Sequence, residues 1–282
     1  MRKPLRLWPL LPLAALFAGF VYSVERLPVY PRERTQAALS VTLPRPVQVM
    51  LSGGDRFLAA NLATWIAVTI GTDHLDPLTA KALGRVQTDA AWLNPAHEDN
   101  YYIAAAVLPW AGQVEASQQV LGRAVDGRPA DLYPPFFLGF NRQYFLGDYL
   151  GAARALEIAA RRAPSLGQRN MLLDMAAKWS EREESPALAK ATIKALAAQS
   201  PDPGLKQYLD LRIKRVETVQ MLRDAARRFR LQSGRPLSRL EELVEAGLID
   251  HIPQDPLDQG GFVVVNGTVV PKIQLQQKRV AQ

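Results

Sequence analysis

His74, His97 and His251 are the only histidines in the 282-residue chain, and their wide separation leaves no pair at metal-ligand spacing. Each reads as a solvated loop residue. The absence of cysteine excludes disulfides, zinc–thiolate sites and thiol nucleophiles. Asp255 and Asp258 share a loop where, with backbone carbonyls, they could hold a calcium ion. Two carboxylates are few for a hard cation, however, and Asp255-Pro256 is also an ordinary turn. Asn266-Gly267-Thr268 matches a glycosylation sequon, but Asn-Gly between two valine-rich runs is accounted for by a hairpin. Leu51-Ser52-Gly53-Gly54-Asp55 lacks the lysine of a phosphate-binding loop and reads as a helix start, with Asp55 near the positive end of the dipole. The sequence has no G-x-S-x-G, P-loop, H-E-x-x-H or dinucleotide fingerprint. The expectation is a protein that is not an enzyme, with no catalytic, cofactor-binding or metal-binding residue and no cofactor.

One charged feature stands out, the run Arg223-x-x-x-Arg227-Arg228-x-Arg230. It has two readings: a contact for an acidic partner or anionic lipid headgroups, or a solvated helix face paired locally with Asp210, Glu217 and Asp224. Over the whole chain 34 Lys and Arg are interleaved with 27 Asp and Glu, for a net charge of +7. Without a single basic stripe, no nucleic-acid partner is expected.

The elements that must position these residues are mostly helical. Arg2, Lys3 and Arg6 precede an apolar run from Leu7 to Val24. Eighteen helical residues span about 27 Å, close to a hydrocarbon core of about 30 Å. Ala14 and Ala18 lack the spacing of a signal cleavage site, so the run reads as an uncleaved anchor, with a signal peptide as the alternative. The positive charge is denser before the run than after it, where Arg26, Arg32, Arg34 and Arg45 are spread out. That places the body outside the cytoplasm. Residues 25–53, with Pro28, Pro31, Pro44 and Pro46, read as an extended stalk. Helical pairs are expected at 54–70 with 76–92, 97–110 with 113–126, 134–146 with 148–163, and 166–182 with 186–199. A long amphipathic helix over 205–231 closes the array. Residues 232–271 read as a small helix plus β-hairpin module. It has a capping box at Ser238-Arg239-Leu240-Glu241, a short helix ended by Gly247, and a hairpin turning at Asn266-Gly267. Residues 272–282 read as a disordered tail. The expected fold class is thus all-α, a helical-hairpin solenoid at 54–231 with an N-terminal membrane helix and a small C-terminal α+β cap.

Prolines 95, 129 and 164 fall 34 and 35 residues apart, and a pattern repeats between them. One copy has Gly147-Asp148-Tyr149, Ala152, Leu156, Ala159 and Pro164; the preceding one has Gly112, Ala116, Val120, Ala124 and Pro129. This order resembles the tetratricopeptide repeat family. The second copy departs by one extra residue between Leu138-Gly139 and its turn, and the first carries Ser117 where alanine is usual. The resemblance implies a concave groove lined by first-helix residues that holds partner proteins or peptide segments. Mapped here, the groove comprises Asp99, Tyr102, Ala106 and Trp110 from one repeat. The next adds Phe136, Phe140, Gln143 and Tyr144, with Asn141 and Arg142 nearby. Alternatively these aromatics pack between helices. Tyr102 and Ala106 occupy the places where the carboxylate-clamp relatives carry Lys and Asn, which counts against capture of a free carboxyl terminus.

Pro236, Leu240, Leu243, Gly247, Ile252-Pro253-Gln254-Asp255-Pro256, Gly260-Gly261 and Phe262 resemble the segment before the end of major type II secretion pseudopilins. The expected function is a single-pass, inner-membrane-anchored scaffold of the bacterial envelope with a periplasmic body that recruits proteins. The alternatives are an accessory factor of a secretion, pilus or exopolysaccharide system, or an envelope enzyme without a recognisable motif.

Overall fold

Ten α-helices of seven residues or more follow one another from Arg45 to Ser233 among the residues that the computed structural model describes, which are 16–20, 22, 23, 26, 43–70, 75–258 and 260–273, once the π turn is set aside. They are α1 (Arg45–Leu51), α2 (Arg56–Ile70), α3 (Pro77–Leu93), α4 (Glu98–Val107) and α5 (Val114–Gly127). After these come α6 (Tyr133–Asn141), α7 (Tyr149–Arg162), α8 (Leu166–Ser180), α9 (Pro186–Gln199) and α10 (Pro203–Ser233). A short α11 (Glu241–Glu245) and two strands, β1 (Phe262–Val265) and β2 (Thr268–Pro271), complete the chain. The chain divides at Thr42 into two units, and the second, from Leu43, carries all of these elements. Most of the expected anchor and the expected tail beyond Ile273 lie outside the described residues. Among those described, no helix is long and apolar enough to cross a membrane.

Short polar side chains followed by proline start several of these helices. The Asp76 carboxylate accepts from the amides of Leu78 and Thr79, with Pro77 in the first turn. Ser185-Pro186 opens α9, and Asp202-Pro203 opens α10 in the same way. In each, the side-chain oxygen takes orphan amide donors, while proline sits where no amide is needed. Gly234, with φ +71°, ends α10 after 31 residues.

Packing runs along the chain: α3 contacts α4 and α5, α4 contacts α6, α7 contacts α8 and α9, and α8 contacts α10. Among the helices of the described residues these contacts join neighbours one and two places along, as in stacked helical hairpins. Small residues set the spacing. A Cβ on Gly139 would stand 3.0 Å from the Ala152 carbonyl oxygen and 3.3 Å from the Ala155 Cβ. In α2 the buried residues are Ala59, Ala60, Ala63, Thr64 and Ala67. The stripe of Phe57, Leu58, Leu62, Trp65, Ile66 and Val68, legible as helical in the sequence, is therefore largely exposed.

Two arginines 34 residues apart tie successive hairpins together. Arg162 donates to the carbonyls of Val125 (3.0 Å), Arg128 (3.3 Å) and Asp131 (3.0 Å). Arg128 donates to the carbonyl of Ala96 (3.0 Å) and pairs with Asp131 and Glu98, each at 2.8 Å. Each thus supplies donors to the turn that leaves the preceding second helix.

One expectation is revised. Residues 45–51 of the expected stalk form α1, held by Arg45 Nε 3.1 Å from Asp89 and by Gln48 donating to Asp89 at 3.1 Å. The C-terminal module packs on α10: Leu222, Ala225, Ala226 and Phe229 of α10 share one core with Leu237, Leu240, Leu243, Phe262 and Val269. Within it β1 and β2 pair antiparallel, Phe262 opposite Pro271 and Val265 opposite Thr268. Asn266 and Gly267 both adopt the positive φ that a tight hairpin turn requires. The expected capping box does not form, because Leu240 precedes α11 without a side-chain cap bond. Glu242, not Glu241, accepts from the Ser238 amide (3.0 Å), and it also takes Arg235 in a fork.

Arg235 and the Ser238 amide hold the Glu242 carboxyl down to about 2. Its folded pKa lies below its unfolded one, so its contribution is complete above about pH 4.5 and is lost as pH falls toward about 2. Glu242→Gln is expected to flatten the acid-unfolding profile across that window, as followed by tryptophan fluorescence. Gly127 tests the spacing, because a Cβ there would lie 2.6 Å from the Pro95 carbonyl carbon. Gly127→Ala should cost roughly 1–3 kcal/mol in denaturant unfolding. Gly122→Ala, in the same helix with open space around it, should gain roughly 0.5–1 kcal/mol.

Candidate functional site

The first helices α4 and α6 stand side by side, and aromatic side chains collect along them. At one end Tyr102 meets Tyr101, Tyr133 and Phe137, with ring centroids 4.5, 6.1 and 5.7 Å away. At the other, Tyr144 stacks on Phe140 at 5.6 Å and approaches Trp110 at 5.4 Å, while Phe145 meets Trp110 edge-on at 4.9 Å. Trp110 and Tyr144 remain 61% and 56% exposed.

Residues 142–146 form a π-helical turn before Gly147 closes the segment in the left-handed region. That wider turn houses the one residue by which this segment exceeds the repeat pattern, and it carries Arg142, Gln143 and Tyr144. Arg142 spans the hairpin, donating to Gln118 (3.3 Å) and the Gly151 carbonyl (3.5 Å) and lying 3.9 Å from Asp148. Gln143 is half-buried beside it.

Asp99 and Tyr102 line a separate open cavity of about 570 Å³, together with Asn61, Thr64, Trp65, Val68, His97 and Ile103. It lies between α2 and α4. His97 is not a free loop residue: its Nδ1 accepts from the Asn100 amide at the start of α4, and burial lowers its pKa. His251 is exposed, and His74 lies outside the described residues.

Asn141 leaves the groove set. It is 1% exposed and donates to the Ser117 hydroxyl (2.9 Å), which donates to the Ala104 carbonyl (3.3 Å). The hydroxyl at a position where alanine is usual therefore joins α4, α5 and α6 through one buried relay.

The basic run splits. Arg223, Arg227 and Arg230 line a common cavity between α10 and the hairpin turn, and the exposed Arg228 does not. A second charged cluster was missed in the sequence because its members are up to 81 residues apart, from Asp174 to Asp255. Arg212, buried between α8 and α10, pairs with Glu181, lies 3.5 Å from Asp174 and donates to the Tyr208 hydroxyl (2.7 Å). Arg215 Nε donates to Asp255 Oδ1 at 2.7 Å. Its Nη2 contacts Oδ2 at 2.7 Å, an ionic contact too bent for a hydrogen bond. Burial raises the Glu181 pKa against the pull of Arg212 and Arg215. The adjoining cavity is about 40 Å³, the scale of a water molecule and not of a substrate. Asp255, weighed above as a calcium ligand, has its carboxylate engaged by Arg215 and the Leu257 amide. Among the described residues no group of three or more His, Asp or Glu is placed to hold a metal ion.

No family model matches the chain, nor does any curated protein or solved structure. The protein is a largely helical stack with a small C-terminal β-hairpin.

Arg215→Met would leave the fully enclosed Asp255 carboxylate unpaired and should cost about 3–5 kcal/mol, measured by urea unfolding. Adding Asp255→Leu should recover most of that loss, because a buried pair is offset by its own desolvation.

Proposed function

We propose that the chain is a non-catalytic scaffold of tetratricopeptide type, held at the bacterial inner membrane by its N-terminal apolar run with its body in the periplasm. It takes an extended peptide or amphipathic helix of a protein partner along the aromatic face of α4 and α6. The observation that carries this reading is the exposed Trp110–Tyr144 cluster, where large rings stay at the surface although they pack against one another. Exposed aromatic anchors beside polar groups are what partner-binding surfaces use for affinity and direction. Pairing of the buried carboxylates with arginines, beside a cavity of about 40 Å³, favours the non-catalytic reading over a motif-less enzyme. The pseudopilin-like tail supports a second reading, an accessory role in secretion or pilus assembly. Its common core with α10 favours a structural role instead.

The test is in-membrane crosslinking of the full chain and of Trp110→Ala with Tyr144→Ala, with circular dichroism confirming that both fold. Recovery of the specific partner should fall roughly ten-fold or more in the double variant and stay unchanged in Trp65→Ala. Equal recovery with all three proteins would refute binding on this face.

A further inference from the structure

Arg223, Arg227 and Arg230 stand at i, i+4 and i+7 on α10, so one helix face carries three guanidiniums. The C-terminal hairpin turns this face into a cavity of about 290 Å³, closed by Asn266, Gly267 and Thr268 at its turn and floored by Ala226, Pro236 and Leu237. Among the described residues no carboxylate pairs with Arg223 or Arg230; Asp224 takes Arg227 at the surface. Arg223 is half-buried, and its one hydrogen bond is from Nε to the Val269 carbonyl at 3.0 Å, which leaves its other donors uncommitted. Burial lowers its pKa, a sign that its charge is poorly compensated.

Three like charges around one concavity repel, and the fold gathers them there without supplying a counter-charge to two of them. We infer that this cavity between α10 and the hairpin turn is a binding site for a phosphate-bearing anion. Guanidinium forks match phosphate oxygens, the Thr268 hydroxyl lines the same space, and the apolar floor suits a group joined to the phosphate. The volume exceeds what a single small ion fills. The phosphate can come from a soluble phosphate compound or from a lipid headgroup. This site is independent of the aromatic groove.

Binding is measured on the full-length chain by calorimetry with inorganic pyrophosphate and by co-sedimentation with phosphatidylglycerol–phosphatidylcholine vesicles, pure phosphatidylcholine being the neutral control. The unmodified chain should bind at least one of these. Arg227→Gln and Arg230→Gln should each weaken binding about ten-fold. Arg228→Gln, which removes the same charge from the same helix outside the cavity, should leave it unchanged. Vesicle binding without pyrophosphate binding assigns the headgroup source; pyrophosphate binding without vesicle binding assigns the soluble one. Unfolding curves without ligand confirm that each variant folds. No binding by the unmodified chain overturns the inference. So does an equal loss in Arg228→Gln, which would mean diffuse attraction to a basic helix.

Discussion

The stack depends on helix backbones coming close together across small side chains. Gly127 touches Pro95, Gly139 touches the carbonyl of Ala152, and α2 meets the core through Ala59, Ala60, Ala63 and Ala67. At such spacing the interior is filled mainly by leucines and alanines, and among the described residues Tyr101 is the one aromatic less than 2% exposed. The other rings of α4, α6 and the π turn are left at the margin. They pack on one another at centroid distances of about 5–6 Å and keep an open face. The groove and the tight core are thus consequences of one constraint.

Arginine is the joint of the second layer of organisation. With five donors in a fixed fork, it can satisfy several carbonyls at once where a helix ends against the next hairpin. Arg128 and Arg162 do this at equivalent places, and Arg212 and Arg215 join α10 to α8 and to the loop at Asp255. These four arginines are therefore engaged in internal contacts.

Helix positions were largely legible in the sequence. The expected 205–231 helix runs from Pro203 to Ser233, and the pair expected at 134–146 and 148–163 is found at 133–146 and 149–162. Apolar periodicity and Asp-Pro or Ser-Pro starts are local signals, and Asn266-Gly267 specifies its turn by local strain alone. Burial was less legible. Asn141 neighbours groove residues in sequence, but it lies in the last turn of the regular helix α6, before the π turn, where its side chain faces Ser117. Helix α1 was hidden by Pro44 and Pro46, since proline is as much at home in a first turn as in a stalk. Its docking depends on Asp89, 44 residues away.

The sequence by itself determined the helical elements, the 34-residue rhythm that spaces them and the hairpin at the end, because each rests on interactions within a few residues or on a repeated pattern. Tertiary structure alone decided which face of α2 is buried and that the C-terminal segment shares the core of α10. It also decided which arginines are neutralised and which three surround a cavity. These depend on partners in other elements, up to about 80 residues distant, whose meeting is set by how closely small side chains let the helices pack.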